Sequence, residues 1–79
     1  MASDDYWVEI CQHGARLGAG FLLTRCYAIT AFHCLTNMEP GDDSVDVTFA
    51  TGETLPGRVY RRSPEADLAL IDIPKLPIL

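Results

Sequence analysis

The sequence predicts an all-β domain whose strands form a barrel or a sandwich. Short β-prone runs recur along the chain and are separated by turns rich in glycine, proline and aspartate, which is typical of these two architectures. No stretch of about ten or more residues shows the periodicity of an amphipathic helix. The 79 residues allow one small domain.

The first half of the chain is predicted to contain three strands. Residues 6–12, YWVEICQ, alternate apolar and polar side chains, and the glycine-rich segment 13–20, HGARLGAG, is predicted to be a turn. Residues 21–32 form a long β-prone run that is most simply two strands joined by a tight connection at Thr24 and Arg25.

The second half is predicted to contribute three more strands. A polar loop at residues 36–44 precedes 45–49, VDVTF, in which every second residue is apolar. Residues 54–61 form the return strand, where Pro56 and Gly57 indicate an edge, a bend or a bulge.

The last strand is DLALIDI, residues 67–73, and both of its faces are expected to be covered. The domain is predicted to span residues 1–73, and the tail 74–79, with its two prolines, to be an extended linker. One helical turn is possible within TAFHCLTN, residues 30–37. The predicted core residues are Phe21, Leu22, Ile29, Leu68, Leu70 and Ile71.

Composition and charge exclude several classes of protein. The net charge of −5 argues against nucleic acid as a partner, because phosphate binding needs clustered cations. No run approaches the roughly 20 apolar residues that span a bilayer, and the acidic start is unlike a secretory signal, so no membrane contact and a cytoplasmic location are expected. Three cysteines, Cys11, Cys26 and Cys34, are an odd number, which favours reduced thiols.

Three motifs follow one another in the chain. Gly18-Ala19-Gly20-Phe21-Leu22-Leu23 is a glycine-flanked apolar strand, Ile29-Thr30-Ala31-Phe32-His33-Cys34 ends in a histidine, and Asp67-Leu68-Ala69-Leu70-Ile71 opens with an aspartate. In this order they resemble the GSGFLI, VLTAAHC and DIALL motifs of the trypsin-like serine peptidases. The resemblance covers roughly residues 8–73.

The resemblance implies a fold and a site. The fold would be the first of that family's two barrels, with about six antiparallel strands. His33 would be the general base of a Ser-His-Asp triad, and Asp67 would orient its ring and stabilise the imidazolium. The apolar residues after Asp67 are expected to bury its carboxylate, so that its hydrogen bond to the imidazole forms in a low dielectric.

The chain departs from the family pattern at its cysteines. In secreted relatives the cysteine after the histidine pairs with a cysteine 15 residues before that histidine, and here that position is Gly18. Cys34 is therefore expected to be a small buried apolar group. Phe32, where the family usually has alanine, places a bulky ring next to the base.

No residue of this chain is expected to be the nucleophile. The serines are Ser3, Ser44 and Ser63. Ser44, in GDDSVD, lies between His33 and Asp67 and lacks the following glycines that give an oxyanion hole room. A second polypeptide, or sequence missing here, would supply the serine in a C-terminal barrel, and the substrate would be a protein or peptide.

Two other interpretations are weaker. The spacing of Cys11, His13, Cys26 and Cys34 does not match a zinc site, so no metal and no cofactor are expected. A half-barrel that has lost its chemistry could instead be a non-catalytic binding or scaffold module. The intact pair of His33 and Asp67 argues against that alternative.

Overall fold

The computed structural model describes residues 6–23 and 26–74 and shows an all-β fold. Its strands are β1 (Trp7–Gln12), β2 (Ala15–Leu22), β3 (Tyr27–Ala31), β4 (Ser44–Phe49), β5 (Thr54–Ser63) and β6 (Leu68–Asp72). The predicted six-stranded antiparallel barrel is confirmed. The prediction that residues 74–79 are a linker remains untested, and residues 75–79 lie outside the described part of the chain.

The six strands form a closed barrel in the order β1-β2-β3-β6-β5-β4. Every pair of neighbouring strands is antiparallel, and β1 closes the barrel by pairing with β4 over Val8–Cys11. A closed sheet has no edge strand, so each of the six strands pairs with a neighbour on both sides.

The predicted turn at residues 13–20 and the predicted site of an irregularity in β5 both need correction. The segment 13–20 is a turn only at His13 and Gly14, which both have positive φ, while the strand β2 already begins at Ala15. Tight two-residue connections of this kind need residues that tolerate positive φ, and glycine does so without strain. The bulge in β5 falls between Val59 and Arg61, and not at Pro56 or Gly57.

The interior is filled by side chains that alternate along each strand. The most deeply buried large side chains are Ile10, Ile71, Ile73, Val8 and Val47. On β6 the inward residues are Ala69 and Ile71, whereas Leu68 points outward and is 44% exposed. Phe21, expected in the core, is 55% exposed. An apolar residue on either face of a strand looks the same in the sequence, so the barrel's curvature decides which face is inside.

A 3-10 helix, Phe32–Leu35, follows β3 and matches the helical turn expected there. Its Leu35 is buried and anchors the turn to the core. None of the helical segments in the described parts of the chain has the length and apolar character needed to cross a lipid bilayer.

Candidate active site

His33 lies in the 3-10 helix immediately after β3. Ala31, with φ −76° and ψ 137°, is the last extended residue, and the chain then turns so that Leu35 is buried and His33 is exposed. The carbonyl of His33 accepts hydrogen bonds from the hydroxyl of Thr36 at 2.9 Å and from its amide at 3.4 Å. These contacts fix the backbone of His33 at the end of the barrel where β3 ends and β6 begins, which we call the rim.

Asp67 lies on the same rim, immediately before β6. It has φ +56°, in the left-handed region that aspartate tolerates better than most side chains. Its amide donates to the carbonyl of Pro64 at 3.2 Å, and its carbonyl accepts from the amide of Phe32 at 3.0 Å. The turn before β6 and the pairing of β6 with β3 thus place the aspartate beside the histidine.

The carboxylate of Asp67 holds His33 at two points. Its Oδ2 lies 2.8 Å from Nδ1 of the ring, and its Oδ1 accepts a hydrogen bond from the backbone amide of His33 at 2.8 Å. Because the two residues are 34 positions apart in the chain, only the fold brings them together. Sequence reasoning named both residues, but it did not predict the backbone hydrogen bond.

This arrangement has a direct electrostatic consequence. The hydrogen bond from the His33 ring, followed by the one from its backbone amide, lowers the pKa of the Asp67 carboxyl. An ionised carboxylate can only accept hydrogen bonds, so Nδ1 carries the proton in the neutral imidazole and Nε2 carries the lone pair. The ring is thus in the tautomer that can accept a proton at Nε2.

The pair is open to solvent, which corrects one expectation. The side chain of His33 is 72% exposed and that of Asp67 is 51% exposed, so the carboxylate is not buried by the residues after it. The physical reason is the register of β6, which turns Ala69 and Ile71 into the barrel and leaves the rim uncovered. In water a hydrogen bond of this kind is weaker than in a dry site.

The remaining ring nitrogen faces no nucleophile in the described structure. Among residues 6–23 and 26–74, no group hydrogen-bonds to Nε2 of His33. Ser44 begins β4, where its amide donates to Oδ1 of Asp42 at 2.9 Å, and Ser63 ends β5. Neither serine hydrogen-bonds to the histidine. Ser3 lies outside the described residues.

Gly18 packs against Cys34, the residue after the histidine. A Cβ atom at Gly18 would lie 2.4 Å from the Sγ and 2.8 Å from the Cβ of Cys34. The two positions are therefore direct neighbours, but Gly18 has no side chain. Cys34 is a free thiol and is half-buried, slightly more open than the buried apolar group expected.

A second polar cluster lies elsewhere on the rim. The ring Nε2 of His13 is 3.4 Å from Oε1 of Glu39 and 3.1 Å from Oδ2 of Asp42, and the three ligand atoms lie within 4.8 Å of one another. These are groups that could hold a metal ion, and they differ from the cysteine set weighed from the sequence. Both carboxylates lie against the same ring nitrogen of His13, and the side chains of His13 and Glu39 are largely exposed.

Sequence reasoning missed one residue that holds this loop in place. Gln12, which is buried, donates from Nε2 to the carbonyls of Asp42 and Ser44 and accepts from the amide of Glu39. A signal was available, because alternation along β1 places Gln12 on the same inward face as Val8 and Ile10. A buried amide at the end of a strand must find hydrogen-bond partners, and the polar loop supplies them.

Comparison with models of protein families gives a match over most of the chain. The family model for the trypsin-like peptidase domain matches residues 18–78. The chain therefore belongs to the trypsin-like peptidase domain family. Comparison with curated proteins finds no match.

Solved structures show the same fold. Two inactive-form crystal structures of the Rv3671c protease, the first described as from M. tuberculosis, match with TM-scores of 0.72 and 0.73 at 25% identity. Kallikrein-related peptidase 10 matches with a TM-score of 0.69 at 23% identity, which shows the fold alone. Each match covers 98% of this chain, but the chain spans only 35–38% of the length of these solved proteins.

Proposed function

We propose that this chain is the N-terminal portion of a trypsin-like serine endopeptidase in which His33 is the general base and Asp67 orients it. The observation that carries the proposal is the two-point contact between them, at 2.8 Å to the ring and 2.8 Å to the backbone amide. The nucleophilic serine comes from a second polypeptide or from further sequence, as in a split, processed or truncated enzyme. The substrate is a protein or peptide.

The chemistry follows from the geometry of the ring. A serine hydroxyl is a weak nucleophile near neutral pH and needs a base with a pKa close to the working pH. With Nδ1 donating to Asp67, Nε2 of His33 accepts the serine proton during attack and later returns it to the leaving amine. The fixed carboxylate stabilises the imidazolium that forms between these two steps.

Exposure of the pair supports the need for a second polypeptide or a further domain. A covering domain would exclude water from His33 and Asp67 and strengthen the hydrogen bond between them. The neighbours with this fold have chains more than twice as long as the matched part, which leaves room for such a domain.

The same proposal places the protein in the cytoplasm. Cys11 and Cys34 are free thiols, and Gly18 occupies the position where secreted relatives have the partner of Cys34. A barrel of this family without that disulfide suits a reducing compartment.

The test uses the protein purified from its source with whatever chain accompanies it. We expect the preparation to cleave casein and to take up a fluorophosphonate, a reagent for activated serines. His33→Ala should abolish both, and Asp67→Asn should lower cleavage on the order of 10⁴-fold, the loss known for the equivalent change in this family's triad. Matched controls are His13→Ala and Asp42→Asn, which alter the other histidine–aspartate contact.

The opposite outcome would identify a different kind of protein. If no chain of the wild-type preparation takes up the fluorophosphonate and the His33→Ala variant binds its partners as before, the half-barrel is a binding or scaffold module. The controls test for a general effect of changing a histidine–aspartate contact at this end of the barrel, because the side chains of His13 and Asp42 are 63% and 33% exposed, against 72% and 51% for His33 and Asp67.

A further inference from the structure

The connection between β1 and β2 and the loop before β4 bring a histidine and two carboxylates together. His13 lies in the two-residue connection, and Glu39 and Asp42 lie in the loop between the 3-10 helix and β4. Nε2 of the His13 ring is 3.4 Å from Oε1 of Glu39 and 3.1 Å from Oδ2 of Asp42. The three atoms all lie within 4.8 Å of one another, so a single ion can contact all of them.

This cluster carries more negative charge than its own groups neutralise. The imidazole offers one proton at Nε2 at most, and even the protonated ring brings a single positive charge against two carboxylates. Within residues 6–23 and 26–74, neither Glu39 nor Asp42 forms an ion pair with an arginine or a lysine. Two carboxylates this close repel each other, so a divalent cation would remove the excess charge and draw their oxygens together.

Hydrogen bonds around the cluster hold its carboxylates in place. Gln12, which is 5% exposed, accepts from the amide of Glu39 at 2.8 Å and donates to the carbonyl of Asp42 at 3.1 Å. Oδ1 of Asp42 accepts from the amide of Ser44 at 2.9 Å, which leaves Oδ2 to face the ring of His13. Such supporting hydrogen bonds orient the ligands of a metal ion and raise its affinity.

The kinds of ligand atom favour zinc over calcium or magnesium. Zinc binds imidazole nitrogen and carboxylate oxygen at about 2.0–2.2 Å, and three protein ligands and one water complete a tetrahedral site. Bonds of this length place neighbouring ligand atoms about 3.3–3.6 Å apart, close to the two distances measured from Nε2 of His13. Calcium takes about six to eight oxygen ligands and magnesium is also bound through oxygen, so a site with one nitrogen and two carboxylates suits them less well.

We propose that His13, Glu39 and Asp42 form a structural zinc site that joins the β1–β2 connection to the loop before β4. The sequence led us to expect no metal because the spacing of the cysteines does not match a zinc site. This site uses no cysteine and joins residues up to 29 positions apart, so only the fold assembles it. It is independent of the proposed serine chemistry and shares no residue with the pair of His33 and Asp67.

Calorimetric titration with zinc chloride tests the site in the 79-residue chain, after EDTA treatment, dialysis and reduction of the thiols. We expect one bound ion per chain. The thermal unfolding midpoint should be higher in zinc than in EDTA, because an ion that binds only the folded state stabilises it. Calcium chloride at the same concentration should leave the midpoint unchanged.

Near-isosteric variants test the two carboxylates. Glu39→Gln and Asp42→Asn should each weaken zinc binding by at least about tenfold, the lower limit for losing even an outer partner of a metal ligand. Asp43→Asn is the matched control, because it makes the same change in the same loop at a carboxylate that contacts Arg62 at 2.8 Å. It should bind zinc as the wild type does, and circular dichroism should show that all three variants keep the wild-type fold.

Spectroscopy identifies the ligand atoms. The chain has two histidines, so the His33→Ala variant assigns the imidazole nitrogen resonances. One equivalent of zinc should shift Nε2 of His13 and leave the ring of His33 unchanged. Cobalt(II) bound in place of zinc should give a spectrum without a thiolate charge-transfer band.

Several outcomes would overturn the zinc site. Equal zinc affinity of Asp42→Asn and Asp43→Asn, a shift at His33 in place of His13, or a thiolate band in the cobalt spectrum would each do so. Stabilisation by calcium as strong as that by zinc, or the absence of stoichiometric zinc binding, would do so as well. In the peptidase test the controls His13→Ala and Asp42→Asn are compared with the wild type in EDTA, where both lack zinc, so the two proposals can fail separately.

Discussion

At the scale of the residue, Asp67 combines a left-handed backbone conformation with two hydrogen-bonding contacts to His33. Its left-handed φ ends the turn before β6, and its two carboxylate oxygens reach two different groups of His33. Few other side chains tolerate this backbone conformation and also present two acceptors. The residue type at position 67 is therefore required by local geometry as well as by the proposed chemistry.

The titration of Asp67 is predicted to report this contact. Its folded pKa lies below the unfolded value, so the folded state binds fewer protons, and the contact stabilises the fold at neutral pH. That contribution is lost as pH falls through the folded pKa, below the ordinary aspartate value of about 3.9. Carboxyl NMR should show this depressed titration.

His33→Ala provides the control for that titration. It removes the larger of the two causes, the ring, and keeps the backbone hydrogen bond, so the pKa of Asp67 should rise only part of the way to its ordinary value. A wild-type Asp67 that titrates at the ordinary value would mean that the contact is not formed in solution.

Gly18 is predicted to be intolerant of any side chain. The methyl group in Gly18→Ala would meet Cys34 at its Sγ and its Cβ, both closer than 3 Å, so β2 or the 3-10 helix must shift. We expect a loss of about 1–3 kcal/mol in the free energy of unfolding, as for overpacked cores. In a Cys34→Ala background the cost should fall, because the nearest atom is gone. An equal cost in both backgrounds in urea titrations would show that Cys34 is not the obstacle.

At the scale of the element, strands β3 and β6 each carry apolar residues on both faces, and the inward-facing residues are the more deeply buried. Ile71 points into the barrel and is fully buried, whereas Ile29 points outward on the neighbouring strand. The burial of a methylene group contributes to stability only if folding removes that group from water. The two isoleucines therefore form a matched pair for the same substitution.

Ile71→Val is predicted to lower the free energy of unfolding by about 0.5–1.5 kcal/mol, the range for a buried isoleucine shortened by one carbon. Ile29→Val should cost about 0.5 kcal/mol or less when this chain is studied alone, because its side chain is already partly in water. Urea denaturation of the two variants measures the difference. Equal losses would show that the outward side of Ile29 on β3 is covered in solution.

At the scale of the whole molecule, barrel closure links the first strand to the middle of the chain. β1 pairs with β2 on one side and with β4 on the other, so it cannot separate without breaking two ladders. The buried core combines side chains of β1 with side chains of β4, β5 and β6, which lie much later in the chain. The barrel should therefore unfold as one unit.

This closure predicts coincident unfolding transitions. Trp7 is the single tryptophan and lies at the start of β1, so its fluorescence reports the strand that closes the barrel. Its urea midpoint should equal the midpoint measured by far-ultraviolet circular dichroism, which reports all the strands. An earlier fluorescence transition would mean that β1 detaches from a remaining five-stranded sheet.

The sequence by itself determined the strand content, the family and the two candidate residues. Period-2 alternation follows from the geometry of a strand, and the motifs around His33 and Asp67 are local, so both can be identified without coordinates. The start of β2 at Ala15 was missed because a glycine-rich run lacks the side chains that make a strand recognisable.

Only the tertiary structure decided which strand faces point into the barrel and which side chains meet at its rim. Barrel closure turned Ile71 inward and Leu68 outward, although both are apolar. The same closure left Asp67 exposed and placed it 2.8 Å from a ring 34 residues away. Curvature and strand register are properties of the whole sheet, because each depends on the pairing of strands far apart in the chain.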